Sequence, residues 1–263
     1  MTTVFQTTPR PKKDPLREFP AELPVHAQTF SVAAGTSQVI PLVVQDGMEN
    51  VEIQVEDGGT ASVVITNPQT TSFARLRIHA VVKKNARLHI CTGITGGQRI
   101  DAEVWIELQE SGSEALVSGI FLGNEGEHHG MHVLMDHVAP STRGDIFLRG
   151  VLRKTTRGMF TGLIRVAKDA QQTNSYFKDD VLLMDDALAE SIPTLEILAN
   201  DVKASHGSTT GRVNDEQLLY LMSRGIPKDQ ATELLIGGFF NTIGKRIPDE
   251  VRSYLVDFLP QGE

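Results

Sequence analysis

Between Phe30 and Ala167 the apolar residues come in short runs with polar residues between them, and helical periodicity is nearly absent. The runs are Val51–Val55, Ala61–Ile65, Leu76–Val82, Arg87–Ile90, Ala102–Leu108, Ala115–Leu122, Met131–Met135, Asp145–Leu148 and Met159–Ala167. Several alternate strictly, as Val51, Ile53 and Val55 do against Glu52 and Gln54, which sends one face inward and the other to water. Run centres recur roughly every 10 to 17 residues, punctuated by Gly, Asn, Asp and Lys-Asn breaks. The pattern predicts an all-β body, and by itself leaves a sandwich, a barrel or a solenoid open.

Two features lean toward the solenoid. Asn-Gly hairpin signals are missing where an up-and-down barrel wants them, and aromatic residues make up only 6% of the chain. Stacked coils can fill a core with Val, Ile, Leu and Ala alone.

The mode changes at Asn214, which with Gln217 forms a capping-box pattern before Leu218, Leu219, Leu221 and Met222. Gly225 is expected to end this helix. A second helix is predicted from Pro227 with Ala231, Leu234, Leu235 and Phe239 at helical spacing, and a third from Pro248 with Val251, Tyr254, Leu255 and Phe258. The expected organisation is a loose N-terminal arm over 1–24, a β-body over 25–213 and a helical tail over 214–263. So small a tail should pack on the body, on another protein, or on both, and one reading makes it a cap over an open end of the strands.

The chain has 263 residues, with Lys+Arg 25 against Asp+Glu 33 and a net charge of -8. That balance argues against a broad contact with nucleic acid or an anionic membrane. No stretch approaches the roughly 18 uncharged apolar residues of a membrane span, and no signal-peptide core is visible at the N-terminus. A single cysteine, Cys91, excludes a multi-cysteine site within one chain and fits a reducing, cytoplasmic setting; it reads as an inert buried thiol.

His128, His129, His132, Asp136 and His137 are a candidate for a metal centre, which gives the alternative of a cupin-like mononuclear metal-dependent enzyme. On a regular strand they would divide, with His128, His132 and Asp136 on one face and His129 and His137 on the other. A polysaccharide-acting β-helix is a third reading, for which no grouped catalytic acids are visible.

The stretch Pro193-Thr194-Leu195-Glu196-Ile197-Leu198-Ala199-Asn200-Asp201-Val202-Lys203-Ala204-Ser205-His206-Gly207 resembles the signature P-x-L-E-I-x-A-x-D-V-K-x-S-H-G of the SufB/SufD family of iron-sulfur cluster assembly proteins. Asp136-His137-Val138-Ala139-Pro140, Gly150-Val151-Leu152, Arg157-Gly158-Met159-Phe160-Thr161-Gly162, Asp215–Leu221 and Arg224-Gly225-Ile226 are similar to further family segments. These matches lie in the C-terminal half, and the chain is expected to be a short form without the larger N-terminal region of typical members.

The resemblance implies a right-handed parallel β-helix whose end pairs with a second β-helix subunit, either a SufB-like protein or another copy of itself. It further implies that the helical tail docks SufC, an ABC-type ATPase, whose ATP-driven dimerisation rearranges the interface where a transient iron-sulfur cluster forms. The chain itself would be a cytoplasmic scaffold subunit, not an enzyme. His206 stands where SufD-type sequences carry an interface histidine, and imidazole can ligate iron. Ala204 stands where some SufD-type sequences have cysteine. Lys178 and Gly207 stand where SufB-type sequences have a cysteine and a glutamate. The chain is therefore SufD-like, so that either the partner supplies the thiolate or other groups do. Arg224, Ile226, Pro227 and Leu234 are the expected ATPase-docking residues. The sequence does not say whether a reduced flavin takes part.

Overall fold

The computed structural model describes residues 23–67 and 71–258; most of the expected N-terminal arm lies outside them. Fourteen strands follow one another: β1 Val25–Val32, β2 Ser37–Val43, β3 Gly47–Val55, β4 Thr60–Thr66, β5 Phe73–Val82, β6 Arg87–Thr95, β7 Arg99–Leu108, β8 Glu114–Gly123, β9 His128–His137, β10 Arg143–Leu152, β11 Arg157–Val166, β12 Thr173–Leu183, β13 Leu188–Ile197 and β14 Val202–Arg212. Odd strands form one seven-stranded parallel sheet and even strands the other. Each coil thus contributes one strand to each sheet, which makes the body a parallel β-solenoid. All nine runs read from the sequence fall within or overlap strands β3 to β11.

The alternation works through columns of stacked side chains. Val51, Ile78, Val104 and Val133 lie in register on consecutive odd strands and are all buried, as are Ile53, Ala80, Ile106 and Met135 beside them. Each column continues the same apolar surface through the stack, so the core needs few rings. Where a ring does enter, its counterpart shrinks: the first column continues to Gly162, and a Cβ there would stand 2.3 Å from the Phe177 ring.

One corner of the coils repeats a left-handed residue. Gly35, Gly58, Asn85, Gly112, Ser141 and Gln172 have φ of 67°, 66°, 54°, 76°, 57° and 61°. From Gly35 to Ser141 each donates its N–H to a carbonyl at or just before the equivalent position of the next coil, and Gln172 donates to Asp201. Glycine and asparagine tolerate this conformation best.

After β14 come α1, Asp215–Ser223, and α2, Lys228–Gly244, then a 3-10 helix, Asp249–Leu255. Asn214 caps α1 by accepting from the Gln217 N–H at 3.0 Å, and Gly225 follows its end at φ 87°. Pro227 is the N-cap of α2 rather than a first-turn residue. The predicted inward face of α2 is rotated: its buried residues are Ala231, Ile236, Phe240, Ile243 and Gly244, while Leu234 is exposed. The third segment is 3-10 rather than α, and buries Val251, Leu255 and Phe258 while Tyr254 faces out.

The tail does not cap an open end. It runs along the outer face of the even sheet, where Ile236, Phe240, Ile243, Ile247, Val251, Leu255 and Phe258 join Val64, Cys91, Ile120, Phe147 and Val151 in a second apolar core. Burying each large side chain there contributes about 2 kcal/mol, reason enough for the tail to lie flat on the sheet. Gly93 leaves the room: a Cβ there would meet Leu255 and Phe258 at 2.7 Å.

Candidate functional site

Because the tail lies on the flank, the last coil is left with two strand edges that no described residue pairs. β13 and β14 each hydrogen-bond to one neighbour and present their other edge outward. Both are largely exposed along their length, and Leu188, Ile197 and Leu198 add exposed apolar surface. Pro193, which lacks a main-chain N–H, sits in the edge strand β13, a position that tolerates it. The motif 193–207 is this terminal coil: the end of β13, the turn after it and the first half of β14.

Register fixes what the coil presents. Ala204, His206 and Ser208 pair with Ser175, Phe177 and Asp179, all buried, so they stand in columns that line the core in earlier coils. With no strand beyond them they meet solvent instead, and His206 is exposed. Lys178 and Gly207 are paired neighbours on the opposite face. The Lys178 ammonium lies 3.4 Å from an Asp180 carboxylate oxygen. The positions singled out on sequence therefore meet at one edge, His206 on its inner column and Lys178 with Gly207 on its outer one.

Sequence reasoning missed Asp179. Its carboxyl is fully buried just inside the open coil and accepts from the Ser208 hydroxyl at 3.3 Å. Burial pushes its pKa up, and the hydroxyls of Ser191 and Ser208 only partly offset this. The signal was the alternation of Phe177, Asp179 and Val181, which puts a carboxylate in an apolar register.

The histidine-rich strand does not form a metal centre. His128, His132 and Asp136 face outward and His129 and His137 inward, as alternation requires. All of them but His128 are tied to separate neighbourhoods. His132 lies 3.0 Å from an Asp101 oxygen and 2.8 Å from the Thr161 hydroxyl. Asp136 accepts both Nε and a terminal nitrogen of Arg165. His129 Nε2 is 2.8 Å from the Gly96 carbonyl, and His137 Nδ1 is 2.8 Å from the Thr142 hydroxyl. Burial holds the His137 imidazole down at about 4. Among the described residues no group of three or more His, Cys, Asp or Glu side chains could hold a metal ion. The mononuclear metal-enzyme reading falls with this division.

Of the expected docking residues, Arg224, Ile226 and Pro227 form the turn between α1 and α2, with the Arg224 guanidinium 5.1 Å over the Tyr220 ring. Leu234 lies farther along, on a groove of about 720 Å³ lined also by Asp229, Glu233, Gly237, Gly238 and Asn241. The surface is strongly apolar: α1 has no buried residue, and Leu219, Tyr220 and Leu234 are 64%, 58% and 57% exposed.

The fold defines the class: a parallel β-solenoid with an uncovered terminal coil and a helical flap along one sheet. Residues 38–239 match the model of the SufBD core domain of the SUF system for FeS cluster assembly, and the chain belongs to that family. It is 31% identical to an iron-sulfur cluster assembly SufBD family protein of Mycobacterium tuberculosis over 218 residues, 79% of this chain and 55% of that one. A SufBD family protein of Mycobacterium leprae is also 31% identical, over 79% of this chain and 56% of its own. The iron-sulfur cluster assembly protein SufB of Bacillus subtilis is 28% identical over 76% of this chain and 43% of its own. The chain spans about half the length of the curated relatives it matches. The similarity reaches well into the N-terminal half, where the sequence motifs had shown only β-rich character. No helix among the described residues is long and apolar enough to cross a membrane.

Proposed function

We propose that this chain is a scaffold subunit on which a nascent iron-sulfur cluster is assembled at the edge of its terminal coil, in company with an ABC-type ATPase held by the helical tail. The observation that carries the reading is the uncovered pair β13 and β14, built from the family motif and placing His206 on an exposed inner column. A strand edge left unpaired beside exposed apolar residues is a template for another strand. A second solenoid abutting there, a SufB-like subunit or another copy of this chain, would continue both sheets and enclose the space around His206.

Neutral imidazole is a sound ligand for iron, whereas the ammonium of Lys178 and the bare Gly207 are not. Of the positions matched to the family's ligand positions this chain therefore offers His206, and the partner supplies thiolate or carboxylate. Cys91 takes no part, being sealed beneath the tail with its thiol pushed up to about 12 by burial and by Glu250. The ATPase would rest on the exposed face of α1, the turn at Arg224, Ile226 and Pro227, and the Leu234 groove. Division into a β-body over 25–213 and a docking tail over 214–263 follows. The cell compartment on this reading is the cytoplasm.

The test is anaerobic reconstitution of the co-purified complex with ferrous iron and sulfide, read by visible absorption after gel filtration. The wild-type complex should retain cluster and the His206→Ala complex should lose most of it. Equal retention in both would remove His206 from the site, and no retention in either would refute the scaffold reading.

A further inference from the structure

A second constellation lies at the other margin of the odd sheet, on its outer face. Phe73, Arg99, His128 and Arg157 open β5, β7, β9 and β11 and stand in register as one column. Two guanidinium groups thus flank one imidazole over three successive coils. Phe73, Arg99 and His128 of this column line a cavity of about 810 Å³ with Gly96, Gly97 and Glu127 among others, and Arg157 stands next to His128 in register outside that lining.

Part of the cavity wall is backbone in the left-handed region that glycine adopts freely. Gly96, Gly97 and Gly126 border it with φ of 63°, 79° and 98°, and the Gly96 carbonyl is anchored by the buried His129 ring. The acidic residues in the wall are already engaged. Glu127 accepts from the N–H groups of Asn124 and Glu125 and from the Thr156 hydroxyl, at 2.9, 2.7 and 2.7 Å. Glu125 pairs with the Lys154 ammonium. His128 Nδ1, by contrast, is buried with no hydrogen-bond partner among the described residues.

We propose that this corner binds a phosphate-type oxyanion, free or carried on a small molecule, between Arg99, His128 and Arg157. Guanidinium groups suit such an anion because their paired donors match its oxygens, and a protonated imidazole adds another. The Phe73 ring at the head of the column and the volume of the cavity leave room for a flat organic group beyond the phosphate.

Burial first, then Arg99 and Arg157, hold the His128 imidazole below its ordinary range. An anion seated among them opposes that repulsion and gives the site a spectroscopic signature.

The test is calorimetric titration of the full chain with inorganic pyrophosphate and, separately, with adenosine monophosphate, alongside NMR titration of His128. Saturable binding of either, with the His128 pKa moving up, supports the site; pyrophosphate binding indicates a free anion, and binding of the nucleotide alone indicates one carried on a ring. Arg157→Gln alters an exposed residue and should weaken binding about tenfold or more without moving the thermal transition. His128→Asn should weaken it also and provides the second variant. Absence of saturable binding by the wild type, or unchanged affinity in Arg157→Gln, would overturn the proposal.

Discussion

The Arg149 guanidinium donates to the Asp180 carboxylate at 2.9 Å and, through its other terminal nitrogen, to the main-chain carbonyl of Phe239. One side chain on β10 thus joins the solenoid to the tail. Its guanidinium also lies 4.4 Å over the Phe239 ring, and Arg246 of the tail stands 3.6 Å over Phe147 of the sheet. Arg149→Ala should destabilise the protein by about 2 kcal/mol, because a nearly buried, charge-assisted pair is lost while Asp180 keeps Lys178. Urea unfolding checks this, and hydrogen exchange should show faster opening in α2 than in β6 to β9.

Cys91 reports on the same joint. Its thiol is protonated far above neutral pH and covered by the tail, so the folded wild type should react slowly with a thiol reagent at pH 8. Gly93→Val places bulk where Leu255 and Phe258 now rest, at a cost of about 1–3 kcal/mol to tail packing, and should raise the labelling rate about tenfold or more. Unchanged labelling in this variant would mean that the tail does not gate the thiol.

Acid should weaken the fold through His137. Its pKa falls from 6.5 to about 4 because the ring is buried without charge compensation. The unfolded chain therefore binds the proton first. The stability that neutral His137 contributes is complete above pH 6.5 and is lost as pH falls toward 4, by about 3 kcal/mol in all. Denaturation midpoints measured from pH 7 to 4 should fall less steeply in His137→Asn, in which the amide can still meet Thr142. His129 and His89, also depressed by burial, leave a residual slope of the same sign.

Asp179 predicts the opposite sign. Burial raises its pKa above 3.8, so its contribution is favourable below that value and is lost as pH rises through the folded value. At neutral pH the buried carboxylate is a net cost. Asp179→Asn should stabilise the isolated chain by about 1 kcal/mol at pH 7, with the gain shrinking in acid, as thermal melts at both pH values would show. A destabilised variant at pH 7 would contradict this account of its burial.

The sequence carried the middle of the solenoid because alternation in strands such as β3 and β5, and short apolar runs in the rest of β3 to β11, mark out the strands. It was less legible in β12 to β14, where Asp179 occupies an inward position and the last two strands are exposed on faces that earlier coils bury. The corner turns were readable where Gly35, Gly58, Asn85 and Gly112 supply the left-handed conformation. Ser141 and Gln172 adopt it without any such signal, held by hydrogen bonds to the Gln171 and Asp201 carbonyls of the coil above. The inward face of α2 was misjudged because Leu234 and Ile236 are equally apolar, and only the path of the chain along the even sheet decides between them. The site was legible as a motif, yet its meeting of His206 with Lys178 and Gly207 depends on the pairing of β12 with β14, which residue spacing does not state.

The most direct measurement is co-expression of the full chain with a SufC-type ATPase from the same source, followed by gel filtration with light scattering, for the wild type and for a variant with Leu219→Asp and Tyr220→Asp on the exposed face of α1. The account predicts a stable complex of defined mass for the wild type and its loss in the variant, with β-sheet content unchanged by circular dichroism. A wild-type chain that remains a lone monomer in the presence of the ATPase would contradict it.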